Sequence, residues 1–253
     1  MTPHLIHWSD LHIGQHPGRL DELHELVARV AERARAGERL AVVITGDITE
    51  SAHAIELDAT RHALAPLGAA GVPVIAVPGN HDCGARGIIW DAAARARYEA
   101  WHNGVCMASD DARWPREWWL DDLRIIGLDS QAGHAGDLVP PLARGEVGRL
   151  QLARLEVMLQ TPAPTVVLLH HHPHWHDLAH VLVDADEMRA LIARRAHVGL
   201  VLCGHQHRTY RQTHGDAIYC AASDTTRTRQ WVEWHREAGG GRSWWRGVPR
   251  AGI

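Results

Sequence analysis

Short, densely apolar runs alternate along this chain with longer segments whose apolar residues recur every three or four positions. Residues 5–8, 40–45 and 72–77 are runs of the first kind and read as strands. Between the first two, Leu20, Leu23, Leu26, Val27 and Val30 mark one face of a helix predicted over residues 20–36 and ended by Gly37. A second helix is predicted over 52–67. The opening order is therefore strand, helix, strand, helix, strand, and strands apolar on both faces belong between helix layers. Residues 123–128, 165–169 and 198–202 read as further strands, and 88–100, 146–159 and 186–196 as helices. A loop is expected over 129–141, which contains Gly133, Gly136, Pro140 and Pro141. Residues 208–236 read as consecutive antiparallel strands turning at His214-Gly215-Asp216 and Ser223-Asp224. After Gly239-Gly240-Gly241, the Trp244-Trp245 segment is expected to fold back. Nothing repeats or thins into a linker, so one domain over 1–253 is expected. Within it, 84–120 forms a tryptophan-rich elaboration over the strand ends and 237–253 a C-terminal tail.

Polar residues concentrate where the strands stop. The clusters are Ser9-Asp10-Leu11-His12, Gly46-Asp47, Gly79-Asn80-His81-Asp82, His170-His171-His172-Pro173 and Gly204-His205-Gln206-His207. Residues two apart in extended chain face the same way, so Asp10 and His12 can grip one ion, and the same spacing in His205 and His207 can send that pair toward adjacent ions. Asp47 carries two oxygens and suits a bridge between two cations about 3.5–4 Å apart. Asn80 offers a neutral carbonyl oxygen and so adds no charge against an anionic substrate. Singly, each cluster is a turn aspartate or an ordinary histidine; five of them at five strand ends describe one centre. Imidazole, carboxylate and amide donors without thiolates suit manganese, iron or zinc. A pair of such ions generates hydroxide at neutral pH and neutralises charge on phosphorus during in-line attack, which fits phosphoester hydrolysis.

Bulk composition narrows the field. An apolar fraction of 45% with 22% charged residues describes a folded globular chain rather than a disordered one. A formal charge of −4 gives no footprint for nucleic acid or an anionic membrane, and no apolar stretch is long enough to span a bilayer. Residues 1–10 turn polar too early for a signal peptide. Cys83, Cys106, Cys203 and Cys220 lack paired-thiolate spacing and read as reduced, consistent with a cytoplasmic protein. The 21 histidines prove little by number, since only the strand-end subset is placed for chemistry.

Taken in order, these segments resemble the calcineurin-like metallophosphoesterases, in particular a bacterial branch of cyclic-nucleotide and glycerophosphodiester phosphodiesterases. The matching stretches are Ser-Asp-Leu-His-Ile-Gly at 9–14, Gly-Asp-Ile-Thr-Glu at 46–50, Pro-Gly-Asn-His-Asp at 78–82, His171-His172-Pro173 and Gly-His-Gln-His at 204–207. The resemblance implies a four-layer α/β/β/α sandwich with two mixed β-sheets and a dimetal site at the strand ends. It implies that Asp10, His12, Asp47 and His207 hold one metal, and that Asn80, His171 and His205 complete the second around a bridging Asp47. His81 then contacts the phosphate and protonates the leaving alkoxide, with Glu50 supporting it where the family usually has aspartate. Asn80 and His172 join His81 as substrate contacts. The family ligand lies two residues before the proline, which selects His171; a one-residue slip would select His170 instead.

The implied activity is hydrolysis of a small-molecule phosphodiester: a cyclic nucleotide, a glycerophosphodiester or an aryl diester. Alternatives are a phosphomonoesterase or nucleotide pyrophosphohydrolase on the same centre, and a catalytically idle metal-binding scaffold. Gly-Asn-His-Asp in place of Gly-Asn-Arg-Asp disfavours a lipid-precursor pyrophosphatase, and the absence of basic stripes disfavours a nuclease. His174, Trp175 and His176, beyond Pro173, depart from the family and leave the substrate open. Cys83 reads as packing, and a homodimer through the tryptophan-rich region or the tail is a further expectation.

Overall fold

A computed structural model describes residues 2–85, 87–131, 143–174, 178–239 and 242–251. The chain runs β1 (His4–Trp8), α1 (Pro17–Arg35), β2 (Leu40–Thr45), α2 (Ala54–Ala69) and β3 (Val74–Val77). A 3-10 turn over His81–Cys83 leads to the short pair β4 (Gly84–Ala85) and β5 (Ile89–Trp90), then α3 (Ala92–Val105), β6 (Arg116–Leu120) and β7 (Leu123–Gly127). There follow α4 (Arg149–Met158), β8 (Thr165–Leu168), α5 (Ala185–Ala193) and β9 (Val198–Cys203). The last elements are β10 (Tyr210–His214), β11 (Ala217–Ala221), α6 (Thr225–Thr228), β12 (Gln230–Gly239) and β13 (Arg242–Ala251).

Two mixed sheets result, ordered β13-β12-β1-β2-β3 and β10-β11-β9-β8-β7-β6. The central pairs β1/β2, β2/β3, β7/β8 and β8/β9 are parallel, so their C-terminal ends collect at one end of each sheet. Strand alternation sorts the core into three layers. Leu5, Val43, Ile75 and Val77 meet Ile125, Val166, Leu168, Leu200 and Leu202 between the sheets. Their neighbours Ile6, Trp8, Val42, Ile44 and Val74 pack under Leu23, Val27, Leu64 and Trp101 of α1, α2 and α3. On the far side Ile126, Val167 and Val201 pack under Leu152, Leu155, Met188 and Ile192 of α4 and α5. The fold is the α/β/β/α sandwich. Among the described residues no helix is long and apolar enough to cross a membrane.

The helix predicted from 20 begins at Pro17, where proline's fixed φ suits the first turn and the His16 ring accepts from the Gly18 N–H. Residues 84–120 differ more from expectation. Rather than lying over the strand ends, α3 joins the helix layer through Tyr98 and Trp101, while β6 is the edge strand of the second sheet. The Glu-Trp-Trp-Leu run alternates, with Trp118 buried between the sheets and Trp119 43% exposed, which is the signature of a half-covered strand. The tail also differs. β11 lies parallel to β9, α6 intervenes, and β12 crosses to pair antiparallel with β1 and β13. Trp231 and Trp234 bury on opposite faces of β12, and a strand apolar on both faces needs a place inside a sheet. Most of the predicted 129–141 loop lies outside the described residues.

Trp118→Ala removes a ring that rests on Gly127 in the inter-sheet core. The expected cost is about 3–5 kcal/mol, read as a lower urea midpoint with an unchanged m-value, against less than about 1 kcal/mol for Trp119→Ala. Equal effects would mean that β6 is not seated with Trp118 inward.

Candidate metal centre

The loops after β1, β2, β3, β8 and β9 meet where the C-terminal ends of the two sheets converge, the customary ligand end of an α/β sheet. Backbone hydrogen bonds join them: Asp10 N–H to Gly46 O at 3.1 Å, His12 N–H to Asp47 O at 2.9 Å, and Gly204 N–H to His170 O at 2.9 Å. Five residues here adopt a left-handed backbone: Asp10 (φ 53°), His12 (46°), Asp47 (51°), His205 (73°) and His207 (52°). Non-glycine residues rarely hold that conformation, and such strain collects where a side chain must be aimed. Glycine makes the close approach of the loops possible. A Cβ on Gly79 would overlap the Asp47 carboxylate and amide nitrogen, and one on Gly204 would overlap Ser9 and Asp10.

Two donor groups form, sharing one oxygen. In the first, Nε2 of His207 lies 3.3 Å from Asp10 Oδ1 and 3.1 Å from Nε2 of His12, which is 3.7 Å from Asp47 Oδ2. In the second, Nε2 of His170 lies 3.3 Å from that same Asp47 Oδ2, 2.9 Å from Asn80 Oδ1 and 3.1 Å from His205 Nδ1. The other Asp47 oxygen, Oδ1, accepts the His81 N–H at 2.9 Å. Asp47 Oδ2 faces both groups.

Electrostatics favour a cation in each group. Burial opposes ionisation of Asp10 and Asp47, yet both titrate below the usual carboxylate range. His207 and His170 lower Asp10; the His170, His81 and His12 rings lower Asp47. Burial works against charge on His170 as well, but Asp47 raises it to about 9. Burial, with the His171 and His170 rings, drives His205 well down, and its buried Nε2 has no hydrogen-bond partner among the described residues. Imidazole nitrogens 3.1 Å apart beside buried carboxylates concentrate lone-pair donors at each group. Divalent cations fit this donor set of oxygens and imidazoles.

Ring orientations are set from behind. His170 Nδ1–H donates to Thr45 O at 2.7 Å, which leaves Nε2 for the centre. His12 Nδ1 is 3.0 Å from Glu50 Oε2, and His207 Nδ1 is 3.8 Å from the buried Asp224 carboxylate. Asp82 clamps the neighbouring loops, accepting from the N–H groups of Ile48, Thr49 and Gly79 at 3.0–3.1 Å. Burial and the Asp47 charge push Asp82 up to about 6 against those donors.

Asp10, His12, Asp47, Asn80, His205 and His207 meet as expected from the sequence, and His171 does not join them. Leu168 faces the inter-sheet core and Leu169 the opposite side, so alternation turns His170 back toward the first sheet. The His171 ring instead bonds Ser130 Oγ at 2.7 Å and Ala143 O at 3.2 Å. His172 is buried against Tyr210, with ring centroids 4.7 Å apart, rather than among these groups. The Glu50 carboxylate hydrogen-bonds His12 at 3.0 Å and stands 3.6 Å from His81 Nδ1; the His81 ring donates from Nδ1 to the Glu50 backbone carbonyl at 2.8 Å. Cys83 is buried, its thiol pushed up chiefly by burial, and Arg95 donates to it at 3.4 Å. Trp175 and His176 lie outside the described residues. Asp82, Thr45 and Asp224 are supports that the sequence motifs do not single out, although Asp82 lies within Gly-Asn-His-Asp and Asp224 at an expected turn.

A family model described as Calcineurin-like phosphoesterase matches residues 3–209. The 3',5'-cyclic adenosine monophosphate phosphodiesterase CpdA of Escherichia coli (strain K12) is 30% identical over 175 residues, 66% of this chain and 54% of that protein. The chain thus spans about half the length of that relative. A probable cyclic nucleotide phosphodiesterase of Moraxella catarrhalis is 28% identical over 225 residues, 83% of this chain and 73% of that one. Among solved structures, a dimetal phosphatase from Danio rerio superposes with a TM-score of 0.65 at 16% identity, covering 92% of each chain, which shows the shared fold.

Gly79→Ala forces the overlapped Asp47 loop to move. Overpacking of this kind is expected to cost about 1–3 kcal/mol, seen as a lower melting temperature of the metal-free protein, with weaker metal uptake by titration calorimetry. Wild-type uptake in the variant would show that the two loops are not in contact.

Proposed function

The chain belongs to the calcineurin-like phosphoesterase family, and we propose that it is a two-metal phosphodiesterase acting on small-molecule phosphodiesters. The observation that carries this reading is the single Asp47 oxygen placed 3.7 Å from His12 Nε2 and 3.3 Å from His170 Nε2, between two donor groups. Asp10, His12, Asp47 and His207 would hold one cation; Asp47, Asn80, His170 and His205 would hold the other. Cations bound there supply a nucleophile at neutral pH and offset charge on the phosphorus.

The chain's own residues do the rest. Asn80 Nδ2 donates to Gly87 O at 3.1 Å, which fixes the amide with Oδ1 toward the centre. His81 stands outside both donor groups, 4.7 Å from the His12 ring and partly open to solvent. Its Nδ1 proton is retained by the Glu50 carbonyl, so Nε2 is the atom that gives a proton to the departing alkoxide. Histidine changes charge near neutral pH and suits that task. The substrate class draws support from the relatives, a 3',5'-cyclic adenosine monophosphate phosphodiesterase in Escherichia coli and a probable cyclic nucleotide phosphodiesterase in Moraxella catarrhalis. Cyclic nucleotides accordingly come first among the diesters to test.

Metal-stripped protein reconstituted with manganese, iron or zinc is expected to hydrolyse diesters in preference to aryl monoesters or nucleotide pyrophosphates. A panel of aryl mono- and diesters, cyclic nucleotides, glycerophosphodiesters and nucleotide pyrophosphates reads this out. Turnover that survives chelation, or a monoester preference, contradicts the reading. Metal content separates the two histidines. His170→Ala is expected to fall from two ions per chain to one while His171→Ala keeps two, and the reverse pattern would make His171 the ligand.

A further inference from the structure

Glu50 divides its two functional groups between two histidines. Its backbone carbonyl takes the His81 Nδ1 proton at 2.8 Å, and an imidazole nitrogen has only one proton to give. The Glu50 carboxylate is 3.6 Å from that same nitrogen, beyond a hydrogen bond, yet 3.0 Å from His12 Nδ1. The backbone explains the division. Glu50 N–H donates to Ile13 O at 3.0 Å, Ile13 N–H donates to Ile48 O at 3.1 Å, and Ile13 bridges Thr49. This short ladder zips the loop after β1 to the loop after β2, so the Glu50 side chain emerges beside the outer edge of the His12 ring.

We propose that the Glu50 side chain is a positioning residue for metal binding through His12, and that only its main chain serves His81. The proposal rests on the two-metal reading above. The carboxylate holds the His12 proton on Nδ1 and directs the Nε2 lone pair toward Asp10, Asp47 and His207. A carboxylate behind an imidazole ligand also raises the basicity of the ring. The longer glutamate arm matters here, since aspartate would fall a methylene short of His12. Any substitution at residue 50 keeps the carbonyl that orients His81.

The test is titration calorimetry of metal-stripped protein with Mn²⁺ and Zn²⁺, comparing wild type with Glu50→Ala, Glu50→Asp and Glu50→Gln. Circular dichroism and melting temperature of the metal-free forms report on folding. Ala and Asp are expected to weaken one of the two sites by about 10–100-fold. Gln, whose Oε1 still accepts the Nδ1 proton, is expected to weaken it less. At saturating metal the pH profile of kcat/KM should keep its shape, because His81 retains its partner. Wild-type affinities in Glu50→Ala overturn the proposal. So does a displaced pH profile with unchanged affinity, which would return the carboxylate to His81. If the wild-type chain itself takes up fewer than two ions, the two-metal reading fails and the proposal falls with it.

Discussion

A buried carboxylate requires positive charge beside it, and Asp47 is 2% exposed at the point where two sheets meet. Asp10, fully buried, lies in the same place. Without compensation two such carboxylates would drive the sheet ends apart; with the His12 and His170 rings, both raised by these carboxylates, beside them they hold the ends together. The parallel strands supply the geometry, since only parallel neighbours send successive C-terminal ends to one side. The left-handed backbone at five of the site residues is the conformational cost of aiming short side chains inward from that end. The fold supplies the means of meeting that cost through the apolar layers on both sides of each sheet.

Much of this was legible in the sequence because two periodicities dominate it. Runs such as Leu40–Thr45 are apolar throughout and could only be internal strands, and the Leu20-to-Val30 stripe could only be a helix face. The residues at the strand ends were therefore visible as a set. What the motifs missed, the period of two could have found: Val166, Leu168 and His170 share one strand face, whereas His171 shares the other with Leu169. The motif count back from Pro173 overrode that alternation. Strand β6 was missed because its tryptophans looked like an elaboration, although Trp118 and Trp119 alternate as any edge strand does. The crossing of β12 to the other sheet is not legible at all, because pairing partners as far apart in the chain as Leu5 and Trp234 leave no local trace.

Around the centre, supports recur in kind but not in source. His170 is oriented by a backbone carbonyl from Thr45, His12 by the Glu50 carboxylate, and Asn80 by Gly87 O. Main-chain carbonyls thus do in two places what a carboxylate does in a third. Further contacts lie beyond the donor groups. His172 meets Tyr210 and His174 meets Tyr219, each with ring centroids 4.7 Å apart. These pairs fasten the segment after β8 to the β10–β11 hairpin, near two strand ends that carry site residues.

Asp47 Oδ2 bridges only if it lies between two cations, and crystals grown with manganese or zinc and measured at the metal's absorption edge decide it. Two anomalous peaks about 3.5–4 Å apart are expected, one among Asp10, His12 and His207 and the other among Asn80, His170 and His205, with Asp47 between them. A single peak, or a pair in which Asp47 contacts only one ion, would contradict it.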